Sequence, residues 1–251
     1  MSASIPNVIE MEGVSKRFGT VQALLDVTLG VPEGCFHGLV GPGASGKSVL
    51  VRLAAGLYRP DSGSIRVLGE DIVRLGQVEQ QRVRSRIGML FQGTALFDYM
   101  TVGENVAFPL RRLTDMPEQE IRDRVSERLA RVGLAGFEER DPGSLSGGQR
   151  KRVGIARATI AHQPLIIYDD PTAGLDPVTA SKIFEILREE QLAAGATVLA
   201  VSSDVDSLVK YVDRIALVER GAMRYHGPLE EAYRASDPFV SAFLRGEWRA
   251  A

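Results

Sequence analysis

The sequence predicts an α/β fold in which a parallel-sheet core carries an inserted helical lobe. Three observations predict it. Short apolar runs of strand composition alternate along the chain with segments of helical length. A glycine cluster, Gly41-Pro42-Gly43-Ala44-Ser45-Gly46-Lys47-Ser48, joins one such strand to one such helix. Between about residues 95 and 150 the strand signals give way to helical periodicity.

Residues 8–11 and 23–29 are short apolar or alternating runs punctuated by Gly19, Pro32 and Gly34, and so read as strands. Residues 35–40 form a continuous apolar strand that runs straight into the glycine cluster, and residues 49–55 have helical length and composition. The turn Arg59-Pro60-Asp61-Ser62-Gly63 returns the chain to a strand at 64–68. From about 98 to 139 the pattern is helical: Ile121, Val125, Leu129 and Val132 recur at spacings of three and four, and Pro117, Glu118 and Glu120 suit a first helical turn. Strands are predicted at 164–169, 196–201 and 214–219, with a helix at 179–194 between the first two. The turn Arg220-Gly221 follows, and the tail from 229 to 251 reads as one or two short helices. No internal repeat or low-complexity segment interrupts this order.

Composition narrows the function. With 44% hydrophobic and 25% charged residues in 251, the chain is neither disordered nor fibrous. Lys and Arg total 30 against 32 Asp and Glu, a net charge of −2 that argues against a broad phosphate-neutralising surface and hence against a nucleic-acid partner. One cysteine, Cys35, cannot close an internal disulfide, which favours a reducing compartment, and it reads as a small core residue. No apolar run approaches the ~20 residues of a membrane span. Residues 1–10 lack the pattern of a secretory leader. A soluble, cytoplasmic chain is the expectation. His37, His162 and His226 share no metal-ligand spacing, Trp248 reads as a packing anchor, and Arg82, Arg84 and Arg86 read as a solvated face or a partner contact.

The chemistry sits in three places. The segment from Gly41 to Ser48 is a phosphate-binding loop, with Val49 continuing into the helix. Its glycines turn backbone N–H groups inward on phosphate oxygens, and the helix start adds positive potential. Lys47 is expected to reach the β and γ phosphates and Ser48 to ligate Mg²⁺. Asp169 ends an apolar strand, where a carboxylate beside such a loop supplies a second Mg²⁺ anchor. Leu145-Ser146-Gly147-Gly148-Gln149, followed by a helical run from Arg150 to Ala158, forms an anion-cradling turn that opens a helix.

Phosphate loop, LSGGQ and acidic strand, in this order, resemble the ABC-type ATPases over nearly the whole chain. The resemblance implies a P-loop NTPase (RecA-like) core at about 5–94 and 151–228 with an N-terminal antiparallel β-subdomain, a helical subdomain at about 95–150 and a helical tail at about 229–251. It implies ATP and Mg²⁺ as ligands. It places Phe18 where an aromatic stacks on adenine, although a core aromatic would read the same. Gln92 takes the place of the glutamine that senses Mg²⁺ and the attacking water, and Gly174-Leu175-Asp176 that of a loop crossing to a second subunit. Ser146, Gly147, Gly148 and Gln149 then serve the ATP of a second copy in a head-to-tail pair. Two positions depart from the family. Asp170 stands where a Glu polarises the hydrolytic water, and Ser203 where a His contacts the γ-phosphate. Both changes touch water activation, so ATP binding is expected to be firm; slow turnover and a compensated, ordinary rate remain open.

Residues 89–98 and 100–110 and the tail at 236–246 resemble the Mla-type ATPases, which power phospholipid traffic between bacterial membranes. That resemblance implies separate integral-membrane permease subunits, a lipid-binding MCE protein and a peripheral place on the cytoplasmic face of the inner membrane. Phe97, Tyr99 and Met100 are candidates for an apolar socket receiving a permease helix, or for packing inside the helical lobe. A transporter ATPase for an amino acid or a metal, and a non-transport ABC ATPase acting on DNA or ribosomes, are the alternatives.

Overall fold

The computed structural model describes residues 5–248. The tail expectation at 249–251 lies outside the described residues. In chain order the elements are β1 (Asn7–Phe18), β2 (Val21–Pro32), β3 (Phe36–Val40), α1 (Lys47–Ala54), β4 (Ser62–Val67), β5 (Glu70–Asp71), α2 (Gln77–Arg84), β6 (Ile87–Leu90), α3 (Val102–Leu113), α4 (Glu118–Arg131), α5 (Gly147–Thr159), β7 (Leu165–Asp169), α6 (Pro177–Ala194), β8 (Thr197–Val201), α7 (Val205–Leu208), β9 (Arg214–Glu219), β10 (Ala222–Pro228), α8 (Leu229–Ala232) and α9 (Pro238–Leu244). A 3-10 turn at Pro142–Ser144 precedes α5.

Two sheets form. The smaller is antiparallel with order β2-β1-β4-β5. The larger has order β10-β9-β3-β8-β7-β6, its inner pairs parallel and the β9–β10 hairpin antiparallel. The strand period of two explains how one sheet serves two cores. Phe36 and Val40 of β3, Ile166 and Tyr168 of β7, and Val198 and Ala200 of β8 face the helices α3 to α6. Their neighbours Leu39, Leu165, Ile167, Leu199 and Val201 face α1 and the antiparallel sheet. Strands covered on both faces read as continuous apolar runs, which is why β3, β7 and β8 were plain in the sequence.

The helices start where local chemistry directs. Thr101 and Glu104 close a capping box on α3, and Asp176 caps α6 ahead of Pro177. The structure adds five elements absent from the sequence reading: the two-residue strand β5, helix α2, the short edge strand β6, the four-residue helix α7 and the hairpin strand β10. Arg82 and Arg86 pair with Glu70 of β5, which ties this basic run to the antiparallel sheet, and Arg84 donates to the Gly56 carbonyl in the turn after α1. Helix α5 runs across residue 150, so the signature turn and the following core segment are one rigid rod. Trp248 packs edge-on against Phe239 of α9, an anchor as expected.

His37 lies fully buried in β3, and neither ring nitrogen finds a hydrogen-bond partner among the described residues. Burial, assisted by the Arg214 charge, pushes it down to about 3, so it is neutral in the fold. A lowered histidine loses stability on acidification, because below its ordinary value of 6.5 the unfolded chain takes a proton that the folded chain refuses. Between pH 7 and pH 5 this group alone is expected to remove about 2 kcal/mol. Urea unfolding at both pH values checks it: His37→Leu should flatten the slope, and an equally steep slope in the variant contradicts the assignment.

Candidate nucleotide site

The phosphate loop follows β3 and leads into α1. Gly41 has φ of 148°, and a Cβ there would lie 2.0 Å from the Val218 carbonyl oxygen; Gly46 has φ of 103°, and a Cβ there would lie 2.5 Å from the Ala23 carbonyl. Only glycine fits either place. A Cβ at Gly43 would meet nothing within 4 Å beyond its chain neighbours. The Lys47 ammonium curls over the loop, donating to the carbonyls of Gly41 and Pro42 at 2.7 Å each. Burial lowers its pKa, opposed by the charges of Asp170 and Asp169.

Ser48 and Asp169 meet as the sequence predicted: the Ser48 hydroxyl donates to Asp169 Oδ1 at 3.0 Å. Asp169 Oδ2 is buried and has no hydrogen-bond partner among the described residues; the Arg52 guanidinium stands 3.9 Å away. Burial raises the pKa of this carboxyl. An orphaned carboxylate oxygen beside a hydroxyl is a hard-oxygen pair short of a cation, and it fits Mg²⁺.

Asp170 and Ser203, the two departures from the family pattern, touch each other. The Ser203 hydroxyl donates to the Asp170 carboxylate at 3.1 and 3.3 Å. Asp170 holds φ of 52°, with its N–H donating to Val201 O. Gln92 follows β6 on an exposed turn. Phe18 is 43% exposed at the end of β1, edge-on to Tyr58 at 5.5 Å and 5.4 Å from the Lys16 ammonium, which excludes the core-aromatic reading.

The signature turn occupies a separate place. Ser146 and Gln149 form a reciprocal capping box at the start of α5. With Gly147 and Gly148 they line a groove of about 460 Å³ shared with Gly174, Leu175 and Asp176 of the same chain, and no phosphate-loop residue lines it. Asp176 caps α6 by accepting from the N–H groups of Val178 and Thr179; the Thr179 hydroxyl, which also donates to it, lowers its pKa, helped by those N–H groups. One chain thus presents two incomplete anion cradles on different surfaces.

A family model described as ABC transporter matches residues 24–173. The chain belongs to the ABC transporter family. As an ABC ATPase cassette it takes ATP and Mg²⁺, which the loop and the Ser48–Asp169 pair suit. It is 40% identical over 95% of its length to a probable ribonucleotide transport ATP-binding protein of Mycobacterium bovis, and 36% identical over 97% to a methionine import ATP-binding protein of Mesorhizobium japonicum. The match spans 66% of each relative's own length. Among solved structures, an ATP-binding cassette captured as a dimer after hydrolysis with ADP and Pi superposes with a TM-score of 0.81 at 32% identity, covering 88% of this chain and 98% of that one. A cassette from Clostridium perfringens gives 0.83 at 28% identity over 96% of both chains. These likenesses confirm the expected fold; the narrower Mla-type assignment finds no counterpart among them.

The sequence reading missed Lys151. Its ammonium, buried on α5, donates to the carbonyls of Gln92 and Asp170. The available signal was spacing: residue 151 shares a helical stripe with the buried Ile155 and Ala158, so it points inward although flanked by Arg150 and Arg152.

Proposed function

We propose that this ABC cassette is the motor subunit of a transporter, binding Mg-ATP firmly and hydrolysing it slowly. In this reading Lys47, Ser48, Asp169 and Gln92 hold the nucleotide and metal, Phe18 stacks on the base, and Asp170 orients water under the control of Ser203. Ser146, Gly147, Gly148 and Gln149 complete the site of a second copy, and Asp176 accompanies them. The observation that carries it is the Ser203–Asp170 contact: a short carboxylate, held by a hydroxyl with no titratable ring, replaces a longer and more basic pair. Because the two side chains touch, their effects should not add. Asp170→Glu with Ser203→His is expected to raise phosphate release by on the order of tenfold or more, beyond the sum of the single changes. An unchanged or lower rate in the double variant contradicts slow turnover by this cause.

The membrane partner is assigned to a separate permease, and among the described residues no helix is long and apolar enough to cross a bilayer. A groove of about 490 Å³ beside the Gln92 segment supports this, being lined by Phe91, Ala95, Phe97, Phe108, Leu113 and Arg157. Tyr99, 81% exposed, stands 5.8 Å from the Phe97 ring. An aromatic, half-open groove suits an amphipathic helix. Phospholipid is the cargo we favour, on the likeness of residues 89–110 and 236–246 to Mla-type sequences; an MCE-type protein would then complete the complex at the inner membrane. Methionine import is the second reading, supported by the 36% identical relative. Purifying the complex through this chain in mild detergent and extracting its small molecules decides between them. Phospholipid retained with an MCE-type subunit is expected; stoichiometric methionine, or a ribonucleotide other than ATP or ADP, contradicts it.

A further inference from the structure

We propose that Lys151 is a positioning residue for hydrolysis, tying the signature helix at once to the Gln92 segment and to the backbone of Asp170. The proposal rests on the reading of Asp170 as the carboxylate that orients water.

Lys151 is 6% exposed, yet it pairs with no carboxylate among the described residues. Its ammonium donates instead to two carbonyl oxygens, that of Gln92 and that of Asp170, the latter at 3.3 Å. A buried ammonium is costly unless its hydrogen bonds are well satisfied. An apolar residue on this helical stripe would fill the space without that penalty, so the ammonium is there for its two ties.

Both tied segments need holding. Asp170 sits at φ of 52°, a conformation that costs a non-glycine residue about 1 kcal/mol or more. It is held from every side: its N–H by Val201 O, its carbonyl by Lys151 and the Ala173 N–H, and its carboxylate by Ser203. On the other flank, Thr94 and Ala95 also take left-handed angles, at φ of 63° and 50°. Arg157, two turns along α5, donates to both of their carbonyls at 2.6 and 2.7 Å. Helix α5 therefore grips the segment 92–95 twice and Asp170 once. Arg157 also lines the aromatic groove. A helix seated in that groove would press on the segment that Lys151 links to Asp170, and α5 carries the same displacement to the signature turn at its start.

The test uses the full chain with its membrane partner, measuring kcat and KM for ATP, nucleotide affinity by a fluorescent ATP analogue, and melting temperature. Lys151→Met keeps the stem volume and removes the donors. Its kcat should fall by on the order of tenfold or more, with KM and affinity within about twofold, because the carboxylate is misplaced and not the nucleotide. Lys151→Gln keeps N–H donors on a shorter arm that reaches one carbonyl, and should lose several-fold, between wild type and Met. An unchanged kcat in the Met variant overturns the proposal, as does a loss matched by an equal loss of affinity. If Lys151→Met fails to fold, wild-type kcat in Lys151→Gln overturns it. Asp170→Asn runs alongside. Full activity there defeats the reading of Asp170 itself, whereas an inactive Asp170→Asn beside a fully active Lys151→Met defeats the role of Lys151 alone.

Discussion

Lys47→Ala lowers ATP hydrolysis by on the order of a thousandfold, the scale of removing one preorganised charge from a developing phosphoryl anion. The ammonium is held over the loop by the Gly41 and Pro42 carbonyls, with Ser45 Oγ at 3.4 Å. Those ties hold its charge over the phosphate loop, and burial strengthens the field it exerts there. Its removal leaves the loop path intact, since Gly41 and Gly46 fix that path by fitting under the Val218 and Ala23 carbonyls. Unfolding by urea should therefore shift by less than about 1 kcal/mol. Retained hydrolysis in Lys47→Ala, measured by phosphate release, would refute the phosphate-loop assignment.

Glu190→Gln destabilises the fold by about 3–5 kcal/mol, the range for a buried ion pair that loses one member. Glu190 of α6 meets Arg128 of α4, both side chains 6% exposed, and its second oxygen lies 3.2 Å from Arg131 Nε. Arg128 also approaches the Thr159 hydroxyl at the end of α5, so this cluster docks the helical lobe on the core. Neutralising the carboxylate strands a guanidinium in a site whose burial already lowers its pKa. Arg128→Met with Glu190→Leu removes both charges and should return stability to within about 1 kcal/mol of wild type. Denaturant titration of the three proteins checks the cycle. A loss under about 1 kcal/mol in Glu190→Gln would show that water reaches the pair.

What the sequence made legible was local. Gly41 to Ser48 and Asp169 declare themselves because their chemistry is written in consecutive residues or at a strand end. The apolar strands β3, β7 and β8 were legible because burial on both faces removes any polar alternation. Other features depend on contacts between distant residues. Asp170 and Ser203 read as two separate departures, and their contact across 33 positions appeared only in the fold. Nothing in the sequence singles out Arg128 or Glu190; they lie 62 positions apart, and the fold brings them together as a buried pair. Strand β6 is four residues long and borders the Gln92 turn, so its strand character was masked by the motif that follows it.

The central claim is that each ATP site is built from the phosphate loop of one copy and the signature turn of another, and complementation between two dead variants tests it most directly. Lys47→Ala disables the loop, and Gly147→Asp disables the signature turn. A Cβ at Gly147 meets Leu175 no closer than 3.7 Å, and an acidic residue suits a helix start, so Gly147→Asp should fold. In a mixed pair one site carries both defects and the other carries neither. Equal mixing of the two inactive proteins should thus restore about a quarter of wild-type hydrolysis, since half the random pairs hold one intact site in two and composite sites follow the symmetry of the pair. If the mixture stays as inactive as its components, the site lies within one chain and the account is wrong.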